Sequence, residues 1–188
     1  MNLGYVISTI IAGMVLLSLI ALNSRIMRGS GEQTLYTMAK IESDMIVDYF
    51  KDDMRIMGYR IDGSAIVDAD SSRIRFRTRP NENNDDIMEI EWFFDATFAS
   101  SGRNPNVRPL YRIVNNGDEI SIGSGVVDFT LEYLDAERLV IANPETQLDN
   151  IRQIRLNMVV ESLDSYDPNR FERSTWRGEI TPFNLRPN

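Results

Sequence analysis

The chain has 188 residues, with 20 Lys+Arg against 28 Asp+Glu for a net charge of −8, and it contains neither His nor Cys. These counts exclude disulfides, a thiolate nucleophile, a Cys-based zinc site, a Ser-His-Asp triad and histidine ligation of a metal. The acidic balance argues against broad nucleic-acid binding, which needs cations to neutralise phosphates, and the length fits about one domain.

The first charged side chain is Arg25. Gly4 to Leu22 reads GYVISTIIAGMVLLSLIAL, with no charge and no Pro. As a helix this run spans about 28 Å, close to the roughly 30 Å of a bilayer's hydrocarbon core. A buried core helix would be shorter and would show a polar face. A secretory signal wants a basic start and a small-x-small cleavage site, whereas Met1-Asn2-Leu3 carries no Lys or Arg. A retained anchor in membrane lipid is therefore expected. Gly4, Ser8 and Ala12 fall at i, i+4 and i+8 and predict a small-residue helix-packing face. Arg25 and Arg28 follow the span and favour a cytoplasmic flank on that side. From residue 32 onward the chain carries 18 Lys+Arg, the total less those two, and all 28 Asp+Glu, a net −10.

Gly29 and Gly31 weaken a helix by about 1 kcal/mol each and mark a soft point. The helical pattern then resumes. Leu35, Met38, Ile41, Met45, Tyr49 and the pair Ile46/Phe50 recur at spacings of three and four, with charges between them. Met38, Met45, Met54 and Met57 are expected to serve as core, the alternative being an adaptable binding face. Gly58 is the expected C-terminal cap.

Beyond Gly58 the period becomes two. Arg73 to Arg79 alternates Ile74, Phe76 and Thr78 against four arginines, a half-buried strand. The acidic loop 80–86 leads to a partner strand at 87–94, whose Glu89 and Glu91 are placed to meet the Arg row. Leu110–Val114 and Glu119–Ile122 predict a hairpin around Asn116-Gly117. Val126–Leu134 is expected to bury Val127, Phe129, Leu131 and Tyr133. Ile151–Glu161 and Thr175–Phe183 complete six or seven strands, with Pro182 holding the last to an edge or an end. The predicted class is α+β: a long N-terminal helix packed on an antiparallel β-sheet. The units are 1–28, the membrane helix; 29–58, its amphipathic continuation; and 59–188, a β-rich globular domain.

The chemistry-bearing patterns are few. There is no Gly-rich phosphate loop and no sign of a cofactor or small-molecule substrate. Asp68-Ala69-Asp70-Ser71-Ser72 begins like a calcium loop but lacks the central Gly and closing Glu. The Asn/Asp cluster at 81–86 has oxygen ligands without diagnostic spacing, so solvated turns are the default at both.

Three stretches and the layout carry a family resemblance. Asp53-Met54-Arg55-Ile56-Met57-Gly58-Tyr59 resembles the D-x-R-x-x-G-Y end of the first helix in minor type IV pilins of the W type and J-type minor pseudopilins. Gly125 to Asp135 resembles their G-V-x-D-x-x-x-x-Y-x-D strand, and Ile151 to Val160 their I-R-x-V-R-I-x-L-V-V strand. Thr181 to Leu185 is similar to their closing T-P-R-N-L. The resemblance implies a catalytically inactive structural subunit whose partners are other pilin-like subunits. It would sit in the cytoplasmic (inner) membrane with its domain facing the periplasm or cell exterior. It also implies a processing site between Gly4 and Tyr5. The chain departs from the family in its non-basic leader and in Thr9, which stands where the fifth mature residue is usually Glu. These departures fit a tip or accessory subunit that primes a type IV pilus or type II secretion pseudopilus. The rival readings are a single-pass envelope protein whose domain binds a ligand or protein, and a membrane-tethered hydrolase using carboxylates or a bound metal.

Overall fold

The computed structural model describes residues 3–79, 86–98, 100–166 and 170–185. One helix, α1, runs without interruption from Leu3 to Ile56, 54 residues, or about 81 Å. The helix passes straight through Gly29 and Gly31, where the sequence predicts a soft point. Two glycines cost a helix of this length less than the hydrogen bonds on either side supply.

Eight strands follow among the described residues, in two antiparallel sheets rather than one. The first sheet is a meander in the order β1 (Ile66–Asp70), β2 (Arg73–Thr78), β3 (Met88–Phe94), β4 (Leu110–Val114) and β5 (Ile120–Ser121). The second is β6 (Val126–Leu134), β7 (Gln153–Glu161) and β8 (Arg173–Ile180). Strand β1 has no clear alternation in the sequence and was not expected. Its pairing is irregular between Ile66 and Asp68, which breaks the period-two signal. A second irregularity, between Val126 and Asp128, shifts the phase of β6. Val126 is buried in place of Val127, while Phe129, Leu131 and Tyr133 point inward as expected. At the β4–β5 hairpin the two left-handed residues are Asn115 and Asn116, both at φ 53°. Gly117 comes third and closes the turn, its N–H donating to Val114 O at 2.9 Å. Strand β8 ends at Ile180, ahead of Pro182, and Phe183 lies in a short 3-10 turn.

The core is where helix and both sheets meet. Phe50 of α1, Trp92 of β3 and Phe129 of β6 form an aromatic triangle. Phe50 stands edge-on to Trp92 at 5.3 Å and to Phe129 at 5.7 Å. Trp92 and Phe129 stack at 6.4 Å. All three rings are fully buried, so each secondary-structure layer contributes one ring to one cluster.

Candidate functional site

The residues that fix the helix on the domain come first, because they decide which helix faces remain outside. The buried face of α1 is Ala39, Ser43, Ile46, Val47, Phe50, Asp53 and Met54, a 3.6-residue stripe that contains an acid. The Asp53 carboxylate accepts from Arg112 Nε at 2.7 Å, Arg112 Nη2 at 3.0 Å and Trp92 Nε1 at 2.8 Å. That hydrogen bonding raises the Arg112 pKa above its ordinary value, against the opposing pull of burial. About three turns earlier on the same side, Glu42 Oε1 accepts from the backbone N–H groups of Ser124 and Gly125. Gly123, at φ 84°, turns that loop so that its amides face the helix. The helix end is capped from two directions: Thr78 Oγ1 donates to Ile56 O at 2.6 Å and Asn184 Nδ2 to Met57 O at 2.9 Å. These bonds occupy carbonyls that a helix terminus leaves open.

A second network fixes the loop 100–109. The buried Glu161 carboxylate accepts from Asn104 Nδ2 and Asn106 Nδ2, each at 3.0 Å, and from Arg173 Nε at 3.0 Å. Burial pushes the Glu161 carboxyl up, and the bonds from Asn106, Arg173 and Asn104 outweigh it, so the pKa lies below the ordinary value. The two sheets are tied by Tyr133, whose hydroxyl reaches Asp70 O at 3.0 Å and Arg73 O at 2.7 Å. Burial raises the pKa of that hydroxyl well above its ordinary value, with the charges of Asp70 and Asp68 adding to the rise.

Two of the four arginines in the row pair as the alternation predicts, whereas Arg75 and Arg79 hold buried Nε atoms with no hydrogen-bond partner among the described residues. Arg77 Nε meets Glu89 at 2.8 Å and Arg73 Nε meets Glu91 at 3.2 Å across β2 and β3. Asp68 and Asp70 lie at the end of β1. Asp68 faces Arg73 at 3.6 Å, and Asp70 Oδ1 accepts from Ser72 N at 2.6 Å, closing a two-residue turn. Residues 81–85 of the other calcium candidate lie outside the described residues. Among the described residues no three His, Cys, Asp or Glu side chains gather as metal ligands.

With the locks in place, two helix regions stand outside. None of the apolar window in the N-terminal half of α1 is buried, and α1 is the one described helix long and apolar enough to cross a membrane. Gly4 and Tyr5, the candidate processing pair, lie in its first turn, with Tyr5 78% exposed. Gly4, Ser8 and Ala12 share one exposed face of that half, and nothing approaches Gly4 within 4 Å. On the domain half, Met38 (61%), Ile41 (62%), Met45 (51%) and Tyr49 (56%) form a second apolar row that faces outward. This corrects the expectation for the methionines: Met54 and Met57 are core, and Met38 and Met45 are not. The helix carries two apolar rows side by side. Spacings of three and four fit either row, so spacing alone does not say which one the sheets cover.

The functional residues that spacing did not single out are Asp53, Glu42 and Glu161. Asp53 had a signal, since it falls in phase with Ile46, Phe50 and Met57 on the apolar face. Glu42 and Glu161 had none, because their partners lie on distant loops. In comparison with known proteins, no family model and no curated protein matches this chain. The architecture itself, one long N-terminal apolar helix packed on antiparallel sheet, is pilin-like.

Proposed function

We propose that this chain is a membrane-anchored, pilin-like minor subunit that assembles into, or primes, a type IV pilus or type II secretion pseudopilus. Its anchor lies in the cytoplasmic membrane and its domain on the periplasmic or outer side. The observation that carries this reading is the outward row Met38, Ile41, Met45 and Tyr49 on the domain half of an uninterrupted helix. A single-pass anchor needs apolar surface only where lipid covers it. Four large apolar side chains in one row beyond the span call for a cover, and contiguous exposed apolar surface marks an interaction site. The helix of a second subunit, running parallel to α1, matches both the length and the shape of that row.

The test is co-purification. Tagged full-length chain, extracted in mild detergent, is expected to bring down at least one other subunit with an apolar N-terminal helix. The double variant Ile41→Asp, Met45→Glu is expected to lose that partner by tenfold or more, about 1.4 kcal/mol, with its thermal unfolding unchanged. Recovery of no such subunit would leave the single-pass binding protein as the better reading.

A further inference from the structure

Residues 162–166, which follow β7, reach back along α1 to the end of the membrane half. Their root is pinned: Ser162 N donates to Glu172 O at 2.8 Å, Glu172 N to Ser162 Oγ at 3.0 Å, and Arg103 Nη1 to Asp164 Oδ1 at 2.6 Å. Tyr166, held by this segment, lies so close to Gly31 that a methyl group at that position would overlap its ring. Gly31 is thus the place where helix backbone and ring meet, and a side chain there would push the ring off. Between the ring and the preceding turns of the helix opens a shallow groove of about 480 Å³ lined by Ser24, Arg25, Met27, Arg28 and Tyr166.

The groove has three properties. Among the described residues its lining holds two arginines and no acid. Arg28 is engaged within the protein, whereas Arg25 makes no hydrogen bond or ion pair among the described residues. It is also placed just past the apolar span. Arg25 lies three residues beyond Leu22, or about 4.5 Å, within the roughly 5–7 Å of one headgroup layer. Finally, it presents an aromatic ring with a polar tip and the apolar stem of Met27, the mixture that suits the membrane interface.

We propose that this groove is a binding site for the headgroup of an anionic phospholipid. The Arg25 guanidinium takes the phosphodiester, the Tyr166 ring flanks it, and Met27 meets the upper acyl chain. The occupant is lipid because the groove is continuous with the lipid-facing surface of α1. Its consequence is that the domain is seated on the membrane at two points, the helix and Tyr166. The site rests on the anchor reading of the helix and does not depend on filament assembly.

The chain has no Cys, so a single Ser165→Cys substitution places a fluorophore beside the groove. The full-length labelled chain is reconstituted in phosphatidylcholine vesicles containing a small fraction of either phosphatidylglycerol or phosphatidylcholine with a nitroxide near the headgroup. Quenching by the anionic lipid is expected to be about fivefold more effective, the preference of one arginine at a membrane surface. Arg25→Gln is expected to remove the preference, and Tyr166→Ser to reduce it severalfold. Equal quenching by both lipids, or a preference that survives Arg25→Gln, overturns the site. Inorganic phosphate that abolishes the preference, where chloride at equal ionic strength does not, assigns the groove to free phosphate and overturns the lipid. Extraction of the chain from the vesicles by alkaline carbonate overturns the anchor reading instead, so the two failures are distinguishable.

Discussion

Asp53 and Glu161 show how single buried acids organise this molecule. Asp53 joins α1 to β3 and β4 through three hydrogen bonds, and Glu161 joins β7 to β8 and to the loop 100–109. A buried carboxylate is costly unless every oxygen is matched, and in both cases the matching is done by groups from other elements. Glu161 also has a pH signature. Its carboxyl is held below the ordinary value of 4.5, so its contribution to stability is complete above that value. The contribution is lost as pH falls through the lower folded value. Glu161→Gln is expected to cost about 2 kcal/mol at neutral pH, from bonds weakened to Arg173 and an acceptor lost to the two asparagines. It is also expected to flatten the loss of stability below pH ~4.5, the ordinary carboxylate range. Urea unfolding of the detergent-solubilised chain at neutral and acid pH measures both. In the sequence Asp53 is visible as an acid in phase with apolar neighbours. Glu161 is not visible, because its donors lie on Asn104, Asn106 and Arg173, and no local pattern connects those positions.

Elements with a clean period were legible. The strict alternation of β2 gave its buried face and its salt-bridge partners, since β2 and β3 pair in a register that sets Arg77 against Glu89. Elements with a shifted period were not: β1 and β6 each carry an irregular pairing, and β6 buries Val126 in place of Val127. The helix was legible in its length and misleading at its glycines. Gly29 and Gly31 look alike in sequence but differ in surroundings. Nothing lies within 4 Å of a Cβ at Gly29, whereas Gly31 faces Tyr166. Gly29→Ala is therefore expected to stabilise the surrounding turns by about 1 kcal/mol, read as slower amide exchange across residues 26–33. Gly31→Ala is expected to gain the same local propensity while displacing the Tyr166 ring, read as faster exchange in the connection 162–166. If both variants slow exchange everywhere, the Tyr166 contact is absent.

At the scale of the whole molecule the α+β class and the helix-first order were legible, and the division into two sheets was not. Two meanders and one long meander have the same local patterns. The sheets divide because strand pairing ends at β5 and begins again at β6, and Tyr133 reaching Asp70 and Arg73 ties the two across that break. Arg25 and Arg28 favour a cytoplasmic position for the sheets and the proposed filament requires the opposite side, so the side of the membrane carries its own prediction. A cysteine at the exposed Ser124 is expected to react with an impermeant reagent on intact spheroplasts, whereas labelling only after lysis would place the domain in the cytoplasm and refute the filament reading. The unbroken helix has a final consequence. Because α1 has no joint, the azimuth of every face along it is fixed relative to the others. From Ser8 to Met45 the helix makes ten turns and about a quarter, and from Met45 to Phe50 one turn and about four-tenths more. The small-residue face, the outward apolar row and the face buried on the sheets thus point in three well-separated directions. One neighbour running alongside cannot cover both exposed faces. In the proposed filament such a chain therefore has at least two different neighbours, one on the small-residue face of the apolar half and one on the outward row beside the domain.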